Sequence, residues 1–532
     1  MDYFKFQQIF IIVLNLAVVC KSTAQQPPHI ITILIDDLGW TDTGFHGSDQ
    51  IKTPNMDALA YSGMILNRHY VLPSCTPSRS ALLTGLYPIR TGMQGMPLKG
   101  GDVRNLPLSF KLKPEFLKNL GYRTHLVGKW HLGYRTINHL PNQRGFDSFF
   151  GYYNGYVDYF KFGHNQTVAG EKIEYFYGYD LHRNGEIYQT DKDTYATRLF
   201  TREAEKIIKN HNESEPLYLY FSHLATHTGD DDIGMEVPED ADVNKTYGHI
   251  KHYGRRAFAG CLEELDKSVG EVMEALKEKN MLDNSIILIM SDNGGHTVSV
   301  DLPPNWSSNW PLGGTKFTLF EGGVRSVALI WSPLLPKGVI NDDFIHITDW
   351  LPTLYSAAGG NPKELGIFDG IDQWEALKRN SAVARENILL NIDDKTGSEG
   401  VIIENRWKVL KGGYKTYGSY DFHWGKPENI HPNPKYDPND IINSQTGQIV
   451  SNLKHYKNSL NHSSIETLRK KSTVTCQPLV NNIPMNDYGF IEPSPEVRCK
   501  DFCLFDIIND QCEVNPVENN ELIKFDNVES RT

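Results

Sequence analysis

Short apolar runs that stop abruptly at polar residues recur along the chain. Ile30 to Ile35 runs into Asp36 and Asp37, Thr124 to Val127 into Gly128, Lys129 and His131, and Ile286 to Met290 into Asp292 and Asn293. Leu217 to Phe221 is followed shortly by His227. Runs of about 4–8 apolar residues bounded in this way fit strands buried on both faces. Helical patterns lie between them: Ala204 to Asn210 belongs to one, and Arg256 to Leu276 is a long amphipathic one carrying Phe258, Leu262, Leu265 and Val269. Strands alternating with helices predict an α/β domain with a large, mainly parallel sheet flanked by helices. In open α/β sheets ligands bind beyond the carboxyl ends of the strands. The chemically capable side chains of this chain cluster just past those ends.

From about residue 385 the texture changes. Asn387 to Asn391, Gly400 to Ile403 and Trp407 to Gly412 read as short strands separated by turns, which predicts a smaller C-terminal α+β domain with an antiparallel sheet. Boundaries at 27–384 and 385–532 follow from that change. Gly418 to Lys457, rich in Pro, Asn and Asp, reads as long loops, and the polar stretch Val517 to Thr532 as a mobile tail. There are no internal repeats. At the other end, Lys5 precedes an apolar run from Ile9 to Cys20, with Ser22, Thr23 and Ala24 after it. The run is shorter than the ~20 residues of a spanning helix, so residues 1–24 read as a cleaved secretory signal and no stable membrane anchor is expected.

Composition changes this picture in two places. The formal net charge of −12 over 532 residues argues against a nucleic-acid partner and against ready approach by a polyanion. The cysteines and sequons fit an oxidising route. Five acceptor sequons begin at Asn165, Asn212, Asn244, Asn305 and Asn461, and a glycan at Asn305 would screen the cleft between two site segments. Of seven cysteines, Cys20 falls in the signal and Cys261 in the long helical pattern as a core thiol. Cys476, Cys499, Cys503 and Cys512 allow three connectivities, of which Cys503–Cys512 with Cys476–Cys499 is favoured. Cys75 alone asks for a separate explanation.

That explanation lies in its neighbours. Residues 75–85 read CTPSRSALLTG and residues 121–131 read GYRTHLVGKWH. The first resembles the sulfatase signature C-x-P-S-R-x-x-x-L-T-G at every fixed position, and the second resembles the other sulfatase signature, G-Y-x-T-x-x-x-G-K-x-H. The resemblance to the type I sulfatases extends from about Pro28 to Gly412. It is nearest the arylsulfatase B type through LPSCTPSRSALLTGLYPIRTGMQG and NWPLGGTKFTLFEGGVR, while CLFDIINDQCE looks like an arthropod form. The resemblance implies an alkaline-phosphatase-like fold. It also implies that Cys75 is oxidised to formylglycine by the formylglycine-generating enzyme during biosynthesis, and that one Ca²⁺ is bound. A hydrated aldehyde can expel sulfate by breaking its own C–O bond, which a serine ester cannot do.

The same resemblance assigns parts. Asp36, Asp37, Asp292 and Asn293 supply hard oxygen ligands, with residue 75 completing the set, a donor chemistry that suits calcium over zinc. Arg79 would brace residue 75 and the carboxylates, and Lys129 and Lys316 would face the sulfate oxygens. His227, placed by the local match PLYLYFSHLATH in preference to His223, would donate a proton to the leaving oxygen, with His131 as base. After His227 the family's usual Glu-Pro is replaced by Thr228, Gly229 and Asp230 to Asp232, read as a solvated loop. The aromatic segment Phe149 to Phe162 either stacks on a substrate ring or packs internally. A phosphatase of the same superfamily would need a second His- and Asp-rich metal cluster, which the sequence does not offer. Two substrate classes stay open: N-acetylgalactosamine sulfate in glycosaminoglycans, and small sulfated compounds such as plant thioglucosides. Oligomeric state is not legible.

Overall fold

The computed structural model describes residues 26–517 apart from 170–172, 192–193, 230–233, 298–303, 382–384, 413–425, 427, 477–498 and 500–501. The signal reading (1–24), Asp230–Asp232 and all but the first residue of the polar tail lie outside the described residues. The ten strands of the main sheet are β1 (His29–Ile35), β2 (Met64–Leu66), β3 (Arg123–Lys129), β4 (Ser148–Tyr152), β5 (His182–Arg183), β6 (Glu186–Ile187), β7 (Leu217–Ser222), β8 (Ser285–Ser291), β9 (Ala328–Trp331) and β10 (Val339–Asn341). Their spatial order is β10-β2-β9-β8-β1-β7-β3-β4-β5-β6. The centre is parallel, β8-β1-β7-β3-β4, with antiparallel pairings at β9 and at β5 and β6.

Alternation explains the two-sided core. Ile31, Ile33 and Ile35 of β1 enter one buried cluster with Leu217, Leu219 and Phe221 of β7, while Ile30 and Leu34 enter the other with Tyr218 and Tyr220. Helices α1 (Pro54–Ser62), α3 (Ala196–Asn210) and α4 (Tyr253–Glu278) cover the first face, and α2 (Cys75–Thr84) with Trp350–Ala357 covers the second. Cys261 is buried on α4, in the first cluster.

A small antiparallel sheet joins Ile388–Asp393, Ser398–Ile403, Trp407–Lys411 and Cys503–Asp506 in that order. Its buried face, including Ile388, Ile402 and Phe505, packs on Leu319, Phe320 and Val324 of the main domain.

Two expectations are corrected. The stretch read as loops contains helices Pro438–Ile442 and Gln445–Asn452, followed by His462–Ser472. Its Asp, Ser and Asn residues are helix caps: Asp437, Ser444 and Asn461 accept from the backbone N–H groups of Asn439, Gly447 and Ser464. Ile441, Ile449, Val450 and Ile465 bury against the first face of the main sheet. The disulfides are Cys476–Cys512 and Cys499–Cys503, with Cα separations of 6.3 and 5.2 Å. Cys499 is buried in the same cluster as Cys503 and Phe505, which holds it beside that strand. Cys512, past the turn after that strand, is carried to Trp40, Leu312 and Val474. Among the described residues no helix is long and apolar enough to cross a membrane.

Candidate active site

Strand register assembles the site. Ile35 of β1 lies opposite Ser291 of β8, Leu34 opposite Ser222 of β7, and Ser222 opposite Gly128 of β3. The next residues on each strand, Asp36, Asp292 and Lys129, therefore emerge together at one edge. The close approach at β3 requires glycine: Gly128 has φ 98°, and a Cβ there would sit 1.9 Å from the Ser222 carbonyl oxygen. Asp37 and His131, the first residues to turn away, hold φ of 60° and 56°, a left-handed conformation costly for side chains of their kind and concentrated at functional sites.

The CTPSRSALLTG segment forms α2, with Cys75 at its first turn and 1% exposed. The motif's other polar residues anchor that turn. Ser78 Oγ accepts from Leu72 N at 3.0 Å, and Thr76 Oγ1 donates to the His131 carbonyl at 3.1 Å. Burial pushes the Cys75 thiol up to about 12, against the pull of Lys129 and Lys316.

Around Cys75 three buried carboxylates face three buried cations. Arg79 donates through Nε and Nη2 to Asp292 Oδ2 at 2.9 and 2.8 Å, and through Nη1 to Ser222 Oγ at 2.5 Å. Lys129 Nζ donates to Asp36 Oδ2 at 2.6 Å, and Lys316 Nζ to Asp37 Oδ2 at 2.7 Å. Asn293 Nδ2 donates to Asp37 Oδ1 at 2.7 Å. Burial works to raise the Asp37 carboxyl, but Lys316 and the nearby histidines hold it well below the usual range. Asp292 goes the other way, to about 6, raised by burial and by Asp36 against the pull of Arg79.

The chemistry of these donors fits a hard divalent cation. Oxygen or sulfur atoms of Asp36, Asp37 and Cys75 and a ring nitrogen of His227 lie within 4.8 Å of one another. Asp36 Oδ1 and Asn293 Oδ1 are buried without a hydrogen-bond partner among the described residues. Buried oxygens without a hydrogen bond, beside a carboxylate whose ionised form burial and Asp36 disfavour, are what a cation would satisfy.

Both histidines present fixed tautomers. His227 Nδ1 sits 2.8 Å from the Thr228 carbonyl, which can only accept, so Nδ1 carries the proton and Nε2 faces Asp37 Oδ2 at 3.6 Å. Likewise His131 Nε2 donates to the Leu98 carbonyl at 2.8 Å, leaving Nδ1 bare and unpartnered among the described residues. Burial and then Lys316 lower His227 to about 3, and burial with Lys129 holds His131 well below the usual imidazole range. His223 is turned away, tilted against Phe221 and near Ser268 on the helix side.

All ten residues singled out from the sequence thus meet at one edge of the sheet. Two others, Asn305 and His296, had been misassigned or missed. Asn305, read as a glycan acceptor, is fully buried; its Nδ2 donates to the carbonyls of Asp37 and Thr226 at 2.9 and 3.1 Å, so it buttresses the metal-side loop. His296, four positions after Asp292, is buried close to Lys316 and Asp37. The Phe149–Phe162 segment divides: Phe149, Phe150, Tyr152, Tyr159 and Phe162 are core, while Tyr156 stacks on His227 at 5.3 Å.

Comparison with known proteins agrees on one family. A family model described as Sulfatase matches residues 28–360. Mouse arylsulfatase J is 38% identical over 447 residues, covering 80% of this chain and 70% of that protein. Pig N-acetylgalactosamine-6-sulfatase is 32% identical over 394 residues, 70% of each chain. The crystal structure of Ps i-CgsB in complex with k-i-k-neocarrahexaose superposes with a TM-score of 0.63 at 28% identity, covering 84% of this chain and 97% of that one.

Proposed function

Because the chain belongs to the sulfatase family and is a sulfuric ester hydrolase, we propose that it releases inorganic sulfate from a sulfated sugar or small sulfated compound, using formylglycine at position 75 and one calcium ion. The observation that carries this reading is the placement of Cys75 inside the buried ring of Asp36, Asp37, Asp292, Arg79, Lys129 and Lys316. A thiol held up to about 12 is a poor nucleophile in its own right, so an unmodified Cys75 would serve badly in that role.

As formylglycine, residue 75 would supply a hydrated aldehyde whose one hydroxyl attacks sulfur and whose other lets sulfate depart by C–O cleavage. Calcium, held by Asp36, Asp37, Asp292 and Asn293, would supply a Lewis acid for the sulfate oxygens. The chain's own groups do the rest. Each lysine ammonium has three donors and gives one to an aspartate, so Lys129 and Lys316 keep N–H groups for the sulfate. With three carboxylates matched by three cations, a bound dication leaves an excess positive charge suited to the charge that develops as the S–O bond breaks. Bare His131 Nδ1 is placed to accept a proton near residue 75. His227 can give one to the leaving oxygen only after Nε2 is protonated, which the negative charge of a bound ester would favour. Arg79 locks Asp292 and has no direct part in proton transfer.

Within this reading the enzyme is arylsulfatase B-like and passes through the secretory pathway, to be secreted or delivered to lysosomes. Its two disulfides support such a route. Both substrate classes are carried forward: N-acetylgalactosamine sulfate, in keeping with the 6-sulfatase relatives, and small esters such as sulfated thioglucosides. The test is sulfate release from a sulfated thioglucoside and a 4-sulfated chondroitin oligosaccharide side by side, with Cys75→Ser as control. Release that persists undiminished in Cys75→Ser would contradict the proposal.

A further inference from the structure

Two loops that touch the site histidines continue into an open cleft. Leu98 accepts from His131 Nε2, and Gly100 and Gly101 line the cleft just beyond. Gly155 packs so closely on His131 that a Cβ there would lie 2.9 Å from the ring, Tyr156 stacks on His227, and the preceding Asn154 lines the cleft. The cleft, of about 800 Å³, is thus lined in part by residues that adjoin, along the chain, those touching the two histidines.

One wall is an aromatic stack. Tyr134 lies on Tyr153 at 5.8 Å and 24°, and Tyr153 on His182 at 4.3 Å and 28°. The Tyr153 hydroxyl and His182 Nδ1 are buried with no hydrogen-bond partner among the described residues. Buried polar atoms in native proteins are nearly always satisfied, so these two await a partner in the cleft. The charge of Asp180 is used locally: it accepts from Tyr153 N, Asn154 N and Asn154 Nδ2 and pairs with His182 Nε2 at 3.1 Å. Among the described lining residues Arg135 is the sole Lys or Arg, and it is exposed.

Resting on the sulfatase reading, we propose that this cleft seats the ring of a neutral sulfate ester, a sugar or aryl group carrying no charge beyond its sulfate, and not a polyanionic chain. Flat rings bury well on tyrosine faces and hydroxyls pair with unpartnered side-chain groups. Uronates and extra sulfates would lose water there with one guanidinium to meet them. The −12 net charge opposes a polyanion further.

The test uses the full chain and three probes: 4-nitrophenyl sulfate, the 4-nitrophenyl glycosides of 4- and 6-sulfated N-acetylgalactosamine, and the same sulfated sugars within chondroitin tetrasaccharides. Expected is a kcat/KM at least about tenfold higher for the best neutral probe than for the best tetrasaccharide. Tyr153→Phe should raise KM for that neutral glycoside about five- to tenfold, more than it lowers kcat. A tetrasaccharide turned over as well as the neutral probes, or an unchanged KM in Tyr153→Phe, overturns the assignment while leaving the sulfatase reading in place. Absence of Cys75-dependent release from every probe, 4-nitrophenyl sulfate included, sinks both.

Discussion

Two clusters of buried charge flank the segment from Lys316 to Arg325, and they are built to opposite ends. In the first, around Cys75, Asp36 Oδ1 and Asn293 Oδ1 accept no hydrogen bond among the described residues, and Asp36 Oδ1 meets Arg79 Nη2 as an ion pair at 3.6 Å. In the second, Lys408 of the small sheet bridges Glu321 Oε1 at 2.9 Å and Glu513 Oε1 at 2.8 Å. Glu321 Oε2 accepts from the Tyr70 hydroxyl at 3.0 Å and pairs with Arg325 at 3.5 Å, and Glu513 Oε2 accepts from Glu321 N at 2.5 Å. Every carboxylate oxygen there has a hydrogen-bond or ion-pair partner within 3.5 Å, Glu513 Oε1 meeting Lys408 by charge alone. Burial alone therefore does not mark a functional site. A cluster whose valences are all met inside the protein joins one sheet to another, and a cluster with valences left open has something to bind.

Variants that exchange the two behaviours would break this comparison. The largest effect is expected for Lys408→Met, which strands Glu321 and Glu513 and should cost about 3–5 kcal/mol of stability by chemical denaturation. Sulfate release per folded molecule should fall less than about threefold. A collapse of turnover at intact stability would place Lys408 in the chemistry. Lys316→Ala should do the converse. Turnover drops by about 10²–10³, equivalent to about 3–4 kcal/mol of transition-state stabilisation. With calcium present to meet Asp37, the denaturation midpoint should move less than in Lys408→Met. Next comes the cation: calcium at about a hundred times its Kd should stabilise the chelated protein by about 2.7 kcal/mol. Asp36→Asn should lose that gain and Glu513→Gln keep it, as read by thermal melts with EGTA and added calcium.

The smallest effect is a pH dependence. Burial, opposed by Lys408 and assisted by Glu321, raises the Glu513 carboxyl from 4.5 to about 7. A carboxyl raised on folding binds more protons in the folded state. Its contribution is fully present below about 4.5 and is lost as pH rises through about 7. Glu513→Gln should therefore gain on the wild type between those values, by on the order of 1–2 kcal/mol at pH 8. A stability difference that stays flat from pH 4 to pH 8 would count against the raised carboxyl.

The central strands and the site were legible because both are written locally. The runs ending at Ile35, Val127, Phe221 and Met290 carry their own boundaries, and strand register does the converging. Residues whose role depends on distant partners were not. Asn305 carries a sequon, yet its amide is spent on Asp37 and Thr226. Lys408, Glu321 and Glu513 lie far apart in the chain and meet only through sheet packing. The helices between Pro438 and Ser472 were hidden because their Asn, Asp and Ser caps also spell loops. The cysteine pairing turned on which buried cluster each cysteine joins, Cys499 with Cys503 and Cys512 with Trp40 and Val474, which spacing alone does not encode.

The central claim is tested most directly at residue 75. The protein should be purified from a host with a working formylglycine pathway, and the mass of the peptide carrying residue 75 measured alongside sulfate release from 4-nitrophenyl sulfate. The account predicts an aldehyde mass, reactive toward hydrazides, in proportion to activity, and neither in Cys75→Ser. Full activity in protein whose residue 75 is entirely unmodified cysteine would contradict it.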